Sequence, residues 1–149
     1  MTRAVLDPNV LVSAFITRRG GSPDRIVRAW REGAFELVVS PRLLAELADV
    51  LARPKFALQS AEGRAEAYIA AIAADAITID DPPDPPAVSP DRGDDYLIAL
   101  ARAARADLIV SGDTHLTQLD DPTPPVLTPR QFLEELEEAM PEPPHSQSR

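Results

Sequence analysis

The sequence predicts an α/β protein, a three-layer α/β/α sandwich around a central, mainly parallel sheet. Three observations predict it. Short runs such as Ala4-Val5-Leu6 and Leu108-Ile109-Val110 are apolar at successive positions, as in strands buried on both faces. Between such runs lie stretches whose apolar residues recur at helical spacing. Two of the runs also end alike, with Asp7 after the first and Asp113 shortly after Val110. In parallel sheets ligands bind beyond the carboxyl ends of the strands, so these strand ends are where function is sought.

Taken in order, the first strand leads through Asp7-Pro8 into a helix that carries Asn9 and, one turn later, Ser13. That spacing lets both face one cavity. Arg18-Arg19-Gly20-Gly21 is a loop by its glycines. Ser22-Pro23 supplies a cap and a first-turn proline for the next helix, which Gly33 ends. Ile26, Val27 and Trp30 form its apolar side, and Arg25, Arg28 and Arg31 its charged side. With Arg18 and Arg19, Arg25 and Arg28 could follow an RNA backbone, although a solvated helix face has the same pattern.

Phe35 to Val39 is the second strand, and Ser40-Pro41 repeats the helix start. At roughly 100° per residue, Leu43, Leu47, Val50 and Leu51 make the buried stripe of this third helix. Glu46 borders that stripe beside Val50, and Asp49 points to solvent. Ser60 is read as the cap of an alanine-rich helix ending near Asp75, and Ala76 to Ile79 as a short strand. Proline and aspartate crowd residues 80–93, which excludes helix and ladder alike. A helix from Asp94 buries Leu97, Ile98, Ala101 and Ala104, and the same angular count turns Asp94 inward and Asp95 outward. Asp107 to Ser111 is the fourth strand. A short helix, an edge strand at Val126-Leu127 and a helix opened by Thr128-Pro129 close the domain. The reading gives one domain over residues 1–139 and a disordered tail over 140–149.

Composition narrows the chemistry. The 149 residues include no cysteine, which excludes a thiolate zinc site and a cysteine nucleophile. The formal net charge of -9 opposes nonspecific nucleic-acid binding through clustered cations. Acids gathered in one cleft reverse that argument, because they can bind cations that then face a phosphate. Asp7, Glu46, Asp94 and Asp113 are the acids that this topology can gather. Four carboxylates in one place raise one another's pKa, and one or two Mg²⁺ or Mn²⁺ ions relieve the repulsion. Oxygen-only donors select such hard cations. No run is long and apolar enough to span a membrane, and no signal-peptide layout is present, so the expected location is the cytoplasm.

Asp7-Pro8-Asn9-Val10-Leu11-Val12-Ser13, Glu46 within Leu43-Leu44-Ala45-Glu46-Leu47, Arg53-Pro54-Lys55-Phe56, Asp94-Asp95-Tyr96-Leu97 and Val110-Ser111-Gly112-Asp113 stand in an ordered set. Together they resemble the PIN domain family, in particular the bacterial and archaeal toxins of VapBC-type toxin–antitoxin systems. The resemblance spans about residues 3–137, by element order. It implies a 5′-nuclease-like fold and a Mg²⁺- or Mn²⁺-dependent ribonuclease that hydrolyses RNA phosphodiesters internally. It also implies an antitoxin protein as partner and a homodimer. Carried over by position, Asp7, Glu46, Asp94 and Asp113 are the catalytic, metal-binding acids, with Asn9 and Ser13 in support. His115 stands where many relatives have a further acid, so it either joins the site or merely starts a helix.

Two alternatives stay open at the level of sequence. The same fold can serve as a catalytically weak RNA- or protein-binding module. A phosphatase of the haloacid dehalogenase kind also begins with a strand-end Asp, but it needs a second Asp where Asn9 stands.

Overall fold

The computed structural model of the chain describes residues 1–17, 20–83, 95–119 and 122–139, with the backbone alone at Asp95 and His115. The expected loop over much of 80–93, the inward turn of Asp94 and the disorder of 140–149 therefore fall outside the described residues.

Five strands are found among the described residues: β1 (Arg3–Leu6), β2 (Glu36–Val39), β3 (Ile77–Thr78), β4 (Leu108–Val110) and β5 (Val126–Leu127). They form one sheet in the order β3-β2-β1-β4-β5. Every pairing is parallel, with Val5 opposite Val38 on one side and Ile109 on the other. Ala4, Val5, Leu6, Leu37, Val38, Val39, Leu108, Ile109 and Val110 are all buried. Successive strand residues point to opposite faces, so unbroken burial means that both faces are covered. The chain builds outward from β1 to β2 and β3, then crosses back to lay β4 on the other side of β1. Such a reversal opens a crevice at the carboxyl ends of the two strands that flank it, here β1 and β4.

The helices among the described residues are α1 (Pro8–Ile16), α2 (Ser22–Arg31), α3 (Pro41–Leu51), α4 (Ala57–Ser60), α5 (Arg64–Asp75), α6 (Asp95–Ala103), α7 (Thr114–Thr117) and α8 (Pro129–Ala139). α3 starts as its sequence predicts: the Ser40 hydroxyl accepts the Leu43 N–H at 3.2 Å, and Pro41 occupies the first turn. α8 opens on a reciprocal pair, in which the Thr128 hydroxyl accepts the Gln131 N–H and the Gln131 side chain accepts the Thr128 N–H, the geometry of a capping box. Tyr68 ties α5 to α1, since its hydroxyl donates to the Leu11 carbonyl at 2.7 Å and its ring lies 4.7 Å from that of Phe15.

Three local expectations need correction. Ser22 is the first residue of α2, and Gly21 is its cap with no side-chain bond. Ser60 caps nothing; its hydroxyl donates to the Leu51 carbonyl. The stretch before α5 instead folds as short turns, with Glu62 and Gly63 at positive φ, and α5 begins only at Arg64. A serine with a nearer carbonyl to bond is lost as a cap. The helix from residue 95 is also buried more completely than one stripe implies: Tyr96, Ala99 and Leu100 join Leu97, Ile98, Ala101 and Ala104 in the core.

Because the fully buried Ser40 anchors the helix that carries Glu46, Ser40→Ala should lower unfolding stability by about 1 kcal/mol. Urea denaturation followed by circular dichroism measures this, with the slope of the transition unchanged.

Candidate functional site

The site is assembled around Asp7. The β1 ladder runs one residue past the strand, because the Asp7 N–H donates to the Val110 carbonyl at 2.9 Å. Pro8 then starts α1, with Asp7 as its cap: Oδ1 accepts the Asn9 N–H at 3.0 Å. Oδ2 accepts the Ser111 hydroxyl at 2.8 Å, and Ser111 Oγ in turn accepts the Asp113 N–H at 2.9 Å. One hydroxyl therefore fixes the acid after β1 and the backbone of the acid after β4. Asp7 is only 3% exposed. Its carboxyl is pushed above the ordinary range chiefly by burial. The bonds from Asn9 and Ser111 oppose that push, and the charge of Asp113 adds to it.

Glu46 reaches the same centre from α3. It is half-buried, while Asp49 is exposed, as the helical angle predicts. Burial raises the Glu46 carboxyl, the Tyr96 hydroxyl lowers it, and the charge of Asp7 raises it further. Asp7 is thus electrostatically coupled to Asp113 on one side and to Glu46 on the other. A cleft of about 310 Å³ is lined by Asn9, Ser13, Gly112 and Asp113 among others, with neither Asp7 nor Glu46 in its wall. Asn9 and Ser13 share it because they are four residues apart on one helix.

The structure therefore couples Asp7 electrostatically to Asp113 and to Glu46, and places Asn9, Ser13 and Asp113 at one cleft wall. Asp94, Arg18 and Arg19 lie outside the described residues, as does the His115 side chain. Arg25 and Arg28 stand elsewhere. Arg25 pairs with Glu137 of α8 at 2.6 Å, Arg28 pairs with Asp24 at 3.1 Å, and both line a separate groove between α2 and α8. Three site residues had no role in the sequence reading. Ser111 was legible as a hydroxyl closing an apolar strand. Tyr96 and Arg42 had no signal, because a tyrosine in an apolar helix and an arginine in a first turn are ordinary features.

All donors in this set are oxygen atoms, which fits a hard divalent cation. Clustered, partly buried carboxylates with raised pKa also fit one, since a cation removes the cost of their charge. Among the described residues no three His, Cys, Asp or Glu side chains stand close enough to hold an ion. A complete set would need Asp94 or a closing movement of Glu46.

The sequence signature of the PIN domain matches residues 3–115, and the chain belongs to that family. Two solved structures share the fold at low identity. One is VapBC2 from Rickettsia felis, solved bound to a DNA fragment from its promoter, with a TM-score of 0.56 and 14% identity over 85% of this chain and 98% of that one. The other is PAE2754 from Pyrobaculum aerophilum, with a TM-score of 0.57 and 14% identity over 93% of this chain and 90% of that one. No curated protein matches the sequence significantly. PIN domains are generally nucleases.

The raised Asp7 carboxyl has a measurable consequence for stability. An acid whose folded pKa exceeds its unfolded value binds more protons when folded, so stability falls as pH rises between the two. Asp7→Asn should therefore raise the melting temperature at pH 7.5 in EDTA. The gain should shrink as pH falls through the raised carboxyl range and vanish by the ordinary carboxyl value of 3.8. Scanning calorimetry across pH measures it.

Proposed function

We propose that the chain is a divalent-metal-dependent endoribonuclease and the toxin of a toxin–antitoxin pair. The observation that carries this reading is the Ser111 bridge. It holds Asp7 and Asp113 at adjacent carboxyl ends of parallel strands, in a chain of the PIN family. Asp7, Glu46, Asp94 and Asp113 would hold one or two Mg²⁺ or Mn²⁺ ions. Bound there, the ion supplies positive charge for phosphate oxygens and lowers the pKa of water.

The chain's own groups have distinct tasks in this scheme. Asp7 is immobilised by its two accepted hydrogen bonds, so its carboxylate keeps one orientation. Glu46 approaches from a separate helix and would complete the set together with Asp94. Asn9 and Ser13 offer amide and hydroxyl donors to a phosphodiester lying in the cleft. The reaction is hydrolysis: a water oxygen bonds to phosphorus, and the bond to the leaving sugar oxygen breaks. In this scheme Ser13 orients and does not attack, because the sequence shows no base with a nucleophile-activating arrangement beside it. His115 follows Asp113 by two residues and is proposed as an additional contact to a second ion. Arg18, Arg19, Arg25 and Arg28 are proposed RNA contacts, of which Arg25 and Arg28 would have to exchange their present carboxylate partners.

Several features support the toxin assignment and its setting. VapBC2 was solved as a complex with promoter DNA, and a nuclease kept in a living cell needs silencing. An antitoxin that inserts an arginine among the acids would displace the cation through a bidentate contact. A homodimer and a cytoplasmic location belong to the same reading. Among the described residues, no helix is long and apolar enough to cross a membrane.

RNA cleavage by the purified chain should require Mg²⁺ or Mn²⁺, stop in EDTA, and disappear when the product of a neighbouring gene is added. Asp7→Asn, Asp94→Asn and Asp113→Asn should each lower the rate by at least about a hundredfold, the loss of several kcal/mol of transition-state stabilisation. Cleavage that persists in excess EDTA would contradict the metal assignment. Full activity in Asp94→Asn with none in Asp95→Asn would move the third acid one residue along. RNA binding without any cleavage would favour the binding module.

A further inference from the structure

The tyrosine at the start of α6 has an environment that core packing does not require. Tyr96 is 2% exposed, and its hydroxyl has no regular hydrogen-bond partner among the described residues. A buried hydroxyl left without a bond costs free energy, and phenylalanine would fill the same volume without that cost. The hydroxyl is nevertheless close enough to the Glu46 carboxylate to favour its charged form. Glu46 and Asp7 are also the charges that raise the phenol most after burial itself. A buried donor without a regular partner thus stands under the influence of Glu46 and Asp7.

The ring beneath that hydroxyl is held in place. The Arg42 guanidinium lies over it, 4.2 Å from the centroid, within the range of a cation–π contact. Arg42 precedes Glu46 by four residues on α3, so the two side chains rise on one face of the helix. Its charge also favours ionised Glu46. The Arg42 backbone N–H donates to Asp81 Oδ2 at 2.9 Å, which ties the first turn of α3 to the segment that leads towards α6. Arg42 and Tyr96 thus form a stack that joins two helices, one turn of α3 from Glu46.

We infer that Tyr96, braced by Arg42, is a positioning residue: its hydroxyl orients the Glu46 carboxylate toward Asp7 so that the two can share a divalent cation. This inference rests on the metal assignment proposed above. A carboxylate on a mobile side chain pays rotamer entropy each time it ligates. A donor to the carboxylate removes part of that cost. The same stack accounts for a glutamate, long and half-buried, serving beside the shorter and fully fixed Asp7.

The test is Mn²⁺ binding to the full chain without RNA, followed by the loss of the free-ion electron paramagnetic resonance signal. Parent, Asp7→Asn, Glu46→Gln, Tyr96→Phe, Arg42→Ala and the Tyr96→Phe/Glu46→Gln double variant are compared, each with its melting temperature. Removal of a partner behind a metal ligand costs about tenfold or more in affinity. Tyr96→Phe should therefore weaken Mn²⁺ binding about tenfold without lowering the melting temperature. Arg42→Ala, which alters an exposed side chain, should shift affinity the same way by a smaller factor. In the Glu46→Gln background, Tyr96→Phe should add less than about twofold, since coupled residues are non-additive. If Asp7→Asn weakens binding and Tyr96→Phe does not, the positioning role is wrong and the metal assignment stands. A full Tyr96→Phe effect in the Glu46→Gln background would likewise overturn the route through Glu46. If the parent binds no Mn²⁺, or Asp7→Asn binds as the parent does, the metal assignment and this inference fall together.

Discussion

The hydroxyl of Ser111 is the contact on which the acid centre depends. It donates to Asp7 and accepts from the backbone of Asp113, so it converts the parallel pairing of β1 and β4 into a fixed relation between two carboxyl-bearing residues. The pairing itself is dictated by apolar runs that must be covered on both faces. The topology places the chain reversal at β1, and the crevice opens where Asp7 and Asp113 emerge. Fold and site are thus linked through one buried polar group with both of its bonds made.

Fixing acids in this way has an energetic cost that the fold absorbs. Asp7 is buried and feels the charge of Asp113, and Glu46 feels the charge of Asp7. Hydrogen bonds from Asn9 and Ser111 offset only part of this. The remaining cost is a store of affinity for anything positive, whether a metal ion or the guanidinium of an inhibitor. The same physics lets an acidic protein of net charge -9 meet a polyanion, provided that a cation stands between them.

Much of this was legible in the residues, for identifiable reasons. Unbroken apolar runs gave the parallel sheet, including the edge strand at Val126-Leu127. Asp7 was legible as a strand end, and the structure adds that the same carboxylate caps α1 and feels the charge of Asp113. Glu46 was placed by helical angle, and it does stand apart from Asp49. What was not legible depends on tertiary neighbours. Tyr96 looks like any aromatic residue in an apolar helix until Arg42 and Glu46 are set beside it. Ser60 looked like a cap, but the Leu51 carbonyl claims its hydroxyl. Arg25 and Arg28 read as RNA contacts or as a solvated helix face, while Glu137 and Asp24 pair with them.

The central proposal is that Asp7, with Glu46 and Asp113 on either side of it, contributes to one cation site. Anomalous diffraction from crystals soaked in MnCl₂ and collected near the manganese edge tests it most directly. The account predicts a peak within ligand distance, roughly 2–2.5 Å, of Asp7 and at least one of Glu46 and Asp113. A map with no peak at that position, or with manganese only on the exposed glutamates of α8, would contradict it.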